Sequence, residues 1–180
     1  TMRFPTTSDG KIDEEKSEKM LDYAFKNGVN YFDTAFPYHN GESEPFTGKI
    51  LNKYPRESYY LATKLPMWAV NTLEDVKKMF DNQLNRLQKD YVDFYLLHAL
   101  NRDHWEKAKR ENYLDYLVEL KKQGKIKYIG FSFHDSYEVF EDINAGIIYE
   151  NTNGELLLDI INKKDKIFSI LMEYIAKTKE

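Results

Sequence analysis

No cysteine occurs among the 180 residues, which excludes disulfides, thiolate metal sites and a cysteine nucleophile. Long apolar runs are also missing. No stretch approaches the roughly 20 residues of a membrane-spanning helix, and no charged-then-apolar leader opens the chain. A cytoplasmic protein without a membrane partner is therefore expected. Positive charge is in short supply, with 26 Lys and Arg against 30 Asp and Glu and a formal net charge of -4. Neutralising a phosphate backbone needs a concentrated basic surface, so no nucleic-acid partner is expected. No glycine-rich phosphate loop is present. The chain opens Thr1-Met2-Arg3-Phe4-Pro5 instead of on methionine, and an upstream piece is expected.

What is present is a globular composition, 42% hydrophobic and 31% charged, with an unusual aromatic load of 14 Tyr and 11 Phe. This length fits one domain with a substantial core. Asp13 to Asn27 reads as an amphipathic helix stopped by Gly28, and Val29 to Ala35 as the strand that follows. Glu42 to Lys53 reads as a short helix, and Tyr59 to Leu65 as a strand ended by Pro66. Thr72 and Asp75 form a capping pair for a helix carrying Leu73, Val76, Phe80, Leu84 and Leu87 inward, which feeds the strand Val92 to His98. One further helix is expected from about Trp105 to Gln123, capped by Gly124, before the strand Ile126 to Ser132. Strand centres thus recur every ~30–35 residues, the length of one βα unit with a right-handed crossover.

Such repeats suit either a doubly wound sheet or an eight-fold barrel. Asp33, Lys64, His98 and Ser132 each close a different strand at its C-terminal end, where barrel enzymes place their chemistry. Taken singly, each could just mark a strand's exit to solvent; the common phase of all four favours the barrel. After Ile143 the character changes. Asn144 to Gly154 reads as turn-rich, with Ile147-Ile148-Tyr149 as a possible short strand, and Glu155 to Lys179 as amphipathic helix. The expected division is a βα-barrel portion over 1–143 and a divergent, mostly helical segment over 144–180.

With those positions in hand, the chain resembles the aldo-keto reductases, in particular their bacterial branch, over residues 1 to about 143. Gly28 to Tyr38 is similar to the family's second-strand signature, in which a tyrosine follows an aspartate by five residues, as Tyr38 follows Asp33. Gly41-Glu42-Ser43-Glu44 and Gly48-Lys49-Ile50-Leu51 resemble the helix after it, and Leu61-Ala62-Thr63-Lys64 the third strand with its lysine. Asp93 to His98 resembles the fourth strand with its histidine, and Gly124 to Ser132 the fifth. Thr1-Met2-Arg3 looks like the tail of the first. The resemblance implies a (β/α)8 barrel, of which this chain holds a partial or truncated form, and NADPH, or less often NADH, bound across its mouth. It also implies Asp33, Tyr38, Lys64 and His98 as catalytic residues, and Thr1, Met2, Asp33 and Ser132 as cofactor contacts, Ser132 at the nicotinamide carboxamide. After that serine the family usually has asparagine, whereas this chain has Phe133.

The chemistry asks for these residue types. Carbonyl reduction needs a hydride, which the cofactor supplies, and a proton for the developing alkoxide. A phenol is a weak acid at neutral pH unless a neighbouring ammonium favours its anion, and a buried ammonium needs a carboxylate to stay charged. Tyr38, Lys64 and Asp33 fit those roles, and His98 could orient the substrate oxygen by a hydrogen bond. Trp68, just past a strand, would either line the pocket for a small carbonyl substrate or pack on a neighbouring helix. His39, His104 and His134 read as ordinary polar residues. A metal-dependent hydrolase built on Asp33, His98 and His134 is disfavoured because Lys64 would repel a cation, so no metal is expected. The alternative to a reductase is a non-catalytic or truncated relative acting through self-association or protein interaction, in which a homo-oligomer covers exposed sheet edges.

Overall fold

The computed structural model describes residues 1–151. Residues Thr1–Asp135 form one compact unit, and a second begins at Ser136. In the first, four parallel strands lie in chain order: β1 (Tyr31–Asp33), β2 (Tyr60–Pro66), β3 (Val92–Leu100) and β4 (Ile126–Phe133). The helices between them are α1 (Glu14–Lys26), α2 (Ser43–Leu51), α3 (Leu73–Leu87), α4 (Arg102–Arg110) and α5 (Tyr113–Lys122). Consecutive order with parallel pairing is what successive βα crossovers produce.

Local chemistry sets the boundaries. The Asp13 side chain accepts the Lys16 N–H at the start of α1. Gly28, at φ 91°, ends that helix: its N–H reaches Phe25 O while Val29 N–H reaches Ala24 O, a pairing that requires a left-handed residue at this point. The expected Thr72/Asp75 capping box opens α3. The single helix expected from Trp105 to Gln123 is instead α4 and α5, broken at Asn112, whose φ of 56° belongs to the left-handed region that asparagine tolerates better than most residues.

Strand parity separates two faces. On β3, Asp93, Tyr95 and Leu97 are buried while Phe94, Leu96 and His98 are half-buried. The register pairs Tyr31 with Tyr60, Ala62 with Asp33 and Phe94, and Lys64 with Leu96. With Leu96 paired to Gly130 on β4, Asp33, Lys64, His98 and Ser132 share one face, the side that would line a barrel. Beneath them Tyr31, Tyr60 and Tyr128 surround Phe94 at ring separations of 5.2, 6.1 and 4.8 Å. The other face packs on helices.

Behind Lys64 a buried polar network ties β2 to α2 and α3. The Glu44 carboxylate, fully buried, accepts from Thr63 Oγ1 (2.6 Å), Gln83 Nε2 (2.8 Å) and Arg86 Nε (2.8 Å). Gln83 Nε2 also donates to the Lys64 carbonyl at 3.0 Å, and Tyr95 Oη donates to Gln83 Oε1 at 2.7 Å. α2 approaches α3 so closely at Gly48 that an added Cβ would lie 2.1 Å from Leu87 O. An exposed helical Gly→Ala change stabilises by ~1 kcal/mol; here the neighbour is backbone and has little room to yield. Gly48→Ala is expected to destabilise by about 2 kcal/mol, read from urea unfolding midpoints.

In the second unit, α6 (Tyr137–Asn151) is continuous helix. Over residues 144–151 it replaces the turn-rich stretch and possible short strand expected there; residues 152–154 of that stretch lie outside the described residues. Asn and Gly in a helix interior each cost only up to ~1 kcal/mol, and local propensity of that size yields to the rest of a four-turn helix. The helical reading of Glu155 to Lys179 lies outside the described residues. Among the described residues no helix is long and apolar enough to cross a membrane.

Candidate active site

Lys64 is the centre of the site. Its ammonium, on a side chain only 6% exposed, donates to Asp33 Oδ1 at 2.6 Å, to Thr34 O at 2.9 Å and to Tyr38 Oη at 3.1 Å. All three of its protons are thus used, and the carboxylate compensates the buried charge. Because Tyr38 Oη accepts from the ammonium, its own proton remains free to point elsewhere. The ammonium also lies 4.7 Å from the centroid of the Tyr38 ring.

Tyr38 sits just after β1 in a tight turn that passes through left-handed His39 and Asn40, at φ 52° and 53°. His39 Nε2 accepts the Phe4 N–H at 3.0 Å, a structural role. The His98 ring stands edge-on to Tyr38 at 5.9 Å and tilted against Trp68 at 5.0 Å. Trp68 is 51% exposed, so its ring covers His98 without being packed away. Burial first, then the nearby Lys64 and His134, lower the His98 imidazolium from 6.5 to about 4. The ring is therefore neutral near pH 7. Its Nδ1 is buried with no hydrogen-bond partner among the described residues.

Between pH 6.5 and about 4 the unfolded chain takes up a proton on His98 that the folded chain refuses, so stability falls as pH drops through this window. His98→Gln is expected to flatten that part of the pH profile of urea midpoints relative to the parent, leaving the carboxylate contribution in both.

The remaining expected residues fall around this centre. The Thr1 amino group and hydroxyl donate to Asp33 O at 2.8 and 2.7 Å, beside the site, while Met2 lies in a turn and is 52% exposed. Ser132 Oγ accepts the Ala99 N–H at 2.8 Å. Ala99 is the extra residue of a bulge between β3 and β4, since Leu97 pairs with Phe131 but Leu100 with Phe133. It has a left-handed φ of 54°, a conformation costing an L-residue about 1–3 kcal/mol.

Four parallel strands joined by helices, with Tyr, Lys, Asp and His gathered where the strands end, fit part of a (β/α)8 barrel. The aldo/keto reductase family model matches residues 1–161, beyond the Ile143 limit of the motif resemblance. L-galactose dehydrogenase of Arabidopsis thaliana is 34% identical over 129 residues, 68% of this chain and 40% of that protein. The NADH-specific methylglyoxal reductase of Escherichia coli is 28% identical, with 91% of this chain and 52% of that protein aligned. Among solved structures, the holo form of a Bacillus halodurans aldo-keto reductase has a TM-score of 0.60 at 35% identity, covering 67% of this chain and 42% of that one. An aldo/keto reductase from Klebsiella pneumoniae, in complex with NADP and acetate, shares the fold at a TM-score of 0.63 and 23% identity, covering 84% and 50%. The chain belongs to the aldo/keto reductase family, a family of oxidoreductases, and spans about half or less of the length of the curated relatives it matches.

Proposed function

We propose that this chain carries the proton-delivery site of an NADPH-dependent reductase of aldehydes or ketones, with Tyr38 as the proton donor. A single observation carries the reading: one ammonium bonds both Asp33 and Tyr38 Oη and leaves the phenolic proton unengaged. As that proton moves to the substrate oxygen, negative charge grows on Tyr38 Oη, 3.1 Å from Lys64 Nζ. A positive charge so placed stabilises the transition state more than the ground state. Asp33 holds the ammonium charged and in place. With Nδ1 bare in its buried setting, the single proton of neutral His98 lies on Nε2, where it donates to the same substrate oxygen. Such a donor is worth about 10²–10³ in rate.

The residues fit a nicotinamide cofactor at the mouth. Ser132 Oγ uses an acceptor position for Ala99 N–H and keeps its hydrogen for a carboxamide oxygen, and the Asp33 side chain is 37% exposed on the same face. When bound, the cofactor supplies the hydride. NADP in the Klebsiella structure and the NADH specificity of the Escherichia coli relative support a nicotinamide cofactor for this chain. Loss of NADPH absorbance on adding a generic aldehyde tests the reading, and saturable NADPH binding by calorimetry tests the cofactor separately. A flat titration would overturn it.

Self-association is the second reading, favoured by one observation: β1 and β4 each pair with one strand among the described residues. Light scattering after size exclusion is expected to give a concentration-dependent dimer, and a monomer at all concentrations would remove it.

A further inference from the structure

Helix α4 carries two side chains that hold backbone on either side of His98, and the carbonyl-reductase reading gives them no role. His104 Nδ1 lies 2.9 Å from Ala99 O. A carbonyl only accepts, so Nδ1 bears the proton. With Ser132 Oγ on Ala99 N–H, both polar groups of the left-handed residue directly after His98 are gripped by side chains. Asn101 caps the helix and accepts the His104 N–H at 2.8 Å, which seats His104 in the first turn. Three residues further, on the same side of α4, Lys107 Nζ donates to Met67 O at 2.5 Å and Val70 O at 2.9 Å. Those carbonyls bracket Trp68, whose ring lies 5.0 Å from that of His98.

We infer that α4 is a positioning element for the carbonyl pocket: His104 fixes the end of the strand that aims His98, and Lys107 fixes the loop that holds Trp68 over it. Neither residue touches the reacting atoms. The spacing of donor and wall, and with it the bulk of carbonyl compound admitted, is set by one short helix. This rests on reading His98 and Trp68 as the lining of the substrate site. A bulge is a usual means of re-aiming a side chain, and here the bulge is held open by His104 and Ser132, neither of which lies in β3.

The test uses readouts that do not need turnover. Trp105, the other tryptophan, is 3% exposed, so acrylamide quenching reports on Trp68. Lys107→Met is expected to raise the quenching constant about twofold and to shift the His98 ring signals in NMR, because the indole no longer stays over the imidazole. His104→Leu is expected to shift the His98 signals, and His104→Asn, whose amide nitrogen stands where Nδ1 stood, to restore them. In steady-state kinetics Lys107→Met should raise KM for a bulky aldehyde about tenfold with kcat nearly kept, whereas His104→Leu should lower kcat with KM nearly kept. Quenching unchanged in Lys107→Met, or His98 signals equally displaced by Leu and Asn at position 104, would overturn the inference. If the parent shows no reductase activity, the fluorescence and NMR outcomes still decide it.

Discussion

Tyr38→Phe is expected to reduce NADPH-dependent turnover of a generic aldehyde by roughly 10³-fold, with cofactor affinity changed by no more than about twofold. The substitution is narrow. Phenylalanine keeps the ring perpendicular to that of His98 at 5.9 Å and under the Lys64 ammonium at 4.7 Å. Only Oη goes, and with it the one hydroxyl that accepts from Lys64 while keeping a proton to give. Lys64 retains Asp33 and Thr34 O as partners, so the fold has little reason to respond. Equal unfolding midpoints for parent and variant would show that lost turnover is a chemical effect, and a kcat unchanged in Tyr38→Phe would remove Tyr38 from the reaction.

Arg86→Met is expected to destabilise the fold by about 3 kcal/mol, read from urea midpoints. Removing one partner of a buried ion pair costs about 3–5 kcal/mol because the other charge is left uncompensated. The low end applies here, since Arg86 is 22% exposed and Glu44 keeps hydrogen bonds from Thr63 and Gln83. The variant also loses a bond to Gly41 O and the guanidinium over the Phe36 ring, which flank Tyr38 in the segment between β1 and α2. Replacing both charges, Glu44→Gln with Arg86→Met, should recover part of the loss. A variant as stable as the parent would mean that the pair contributes nothing net.

Much of this was readable from residue order, and the boundary of what was not has a physical basis. The strand positions of Asp33, Lys64 and His98 followed from period, and the Thr72/Asp75 cap from side chains that act on their own neighbours. Whether four strand ends meet is a tertiary matter, which the parallel register settled. The left-handed Asn112 that splits α4 from α5 was hidden because amphipathic spacing runs through it. His104 read as an ordinary polar residue, and Lys107 drew no reading at all, for a related reason. Their partners are carbonyls of Ala99, Met67 and Val70, and a backbone oxygen leaves no trace in residue identity. The only available signal was their spacing of three on a helix just beyond His98. Beyond Asn144, weak helix formers suggested turns where α6 continues.

Because each strand hydrogen-bonds the one just before it in the chain, the reactive centre is built from contacts of short sequence range. The Lys64 bonds to Asp33 and Tyr38 span 31 and 26 residues, so each closes a loop of about one βα unit at modest entropic cost. Proton donor and ammonium need only the chain through β2 to meet, and His98 joins them with the next strand, without any contribution from β4.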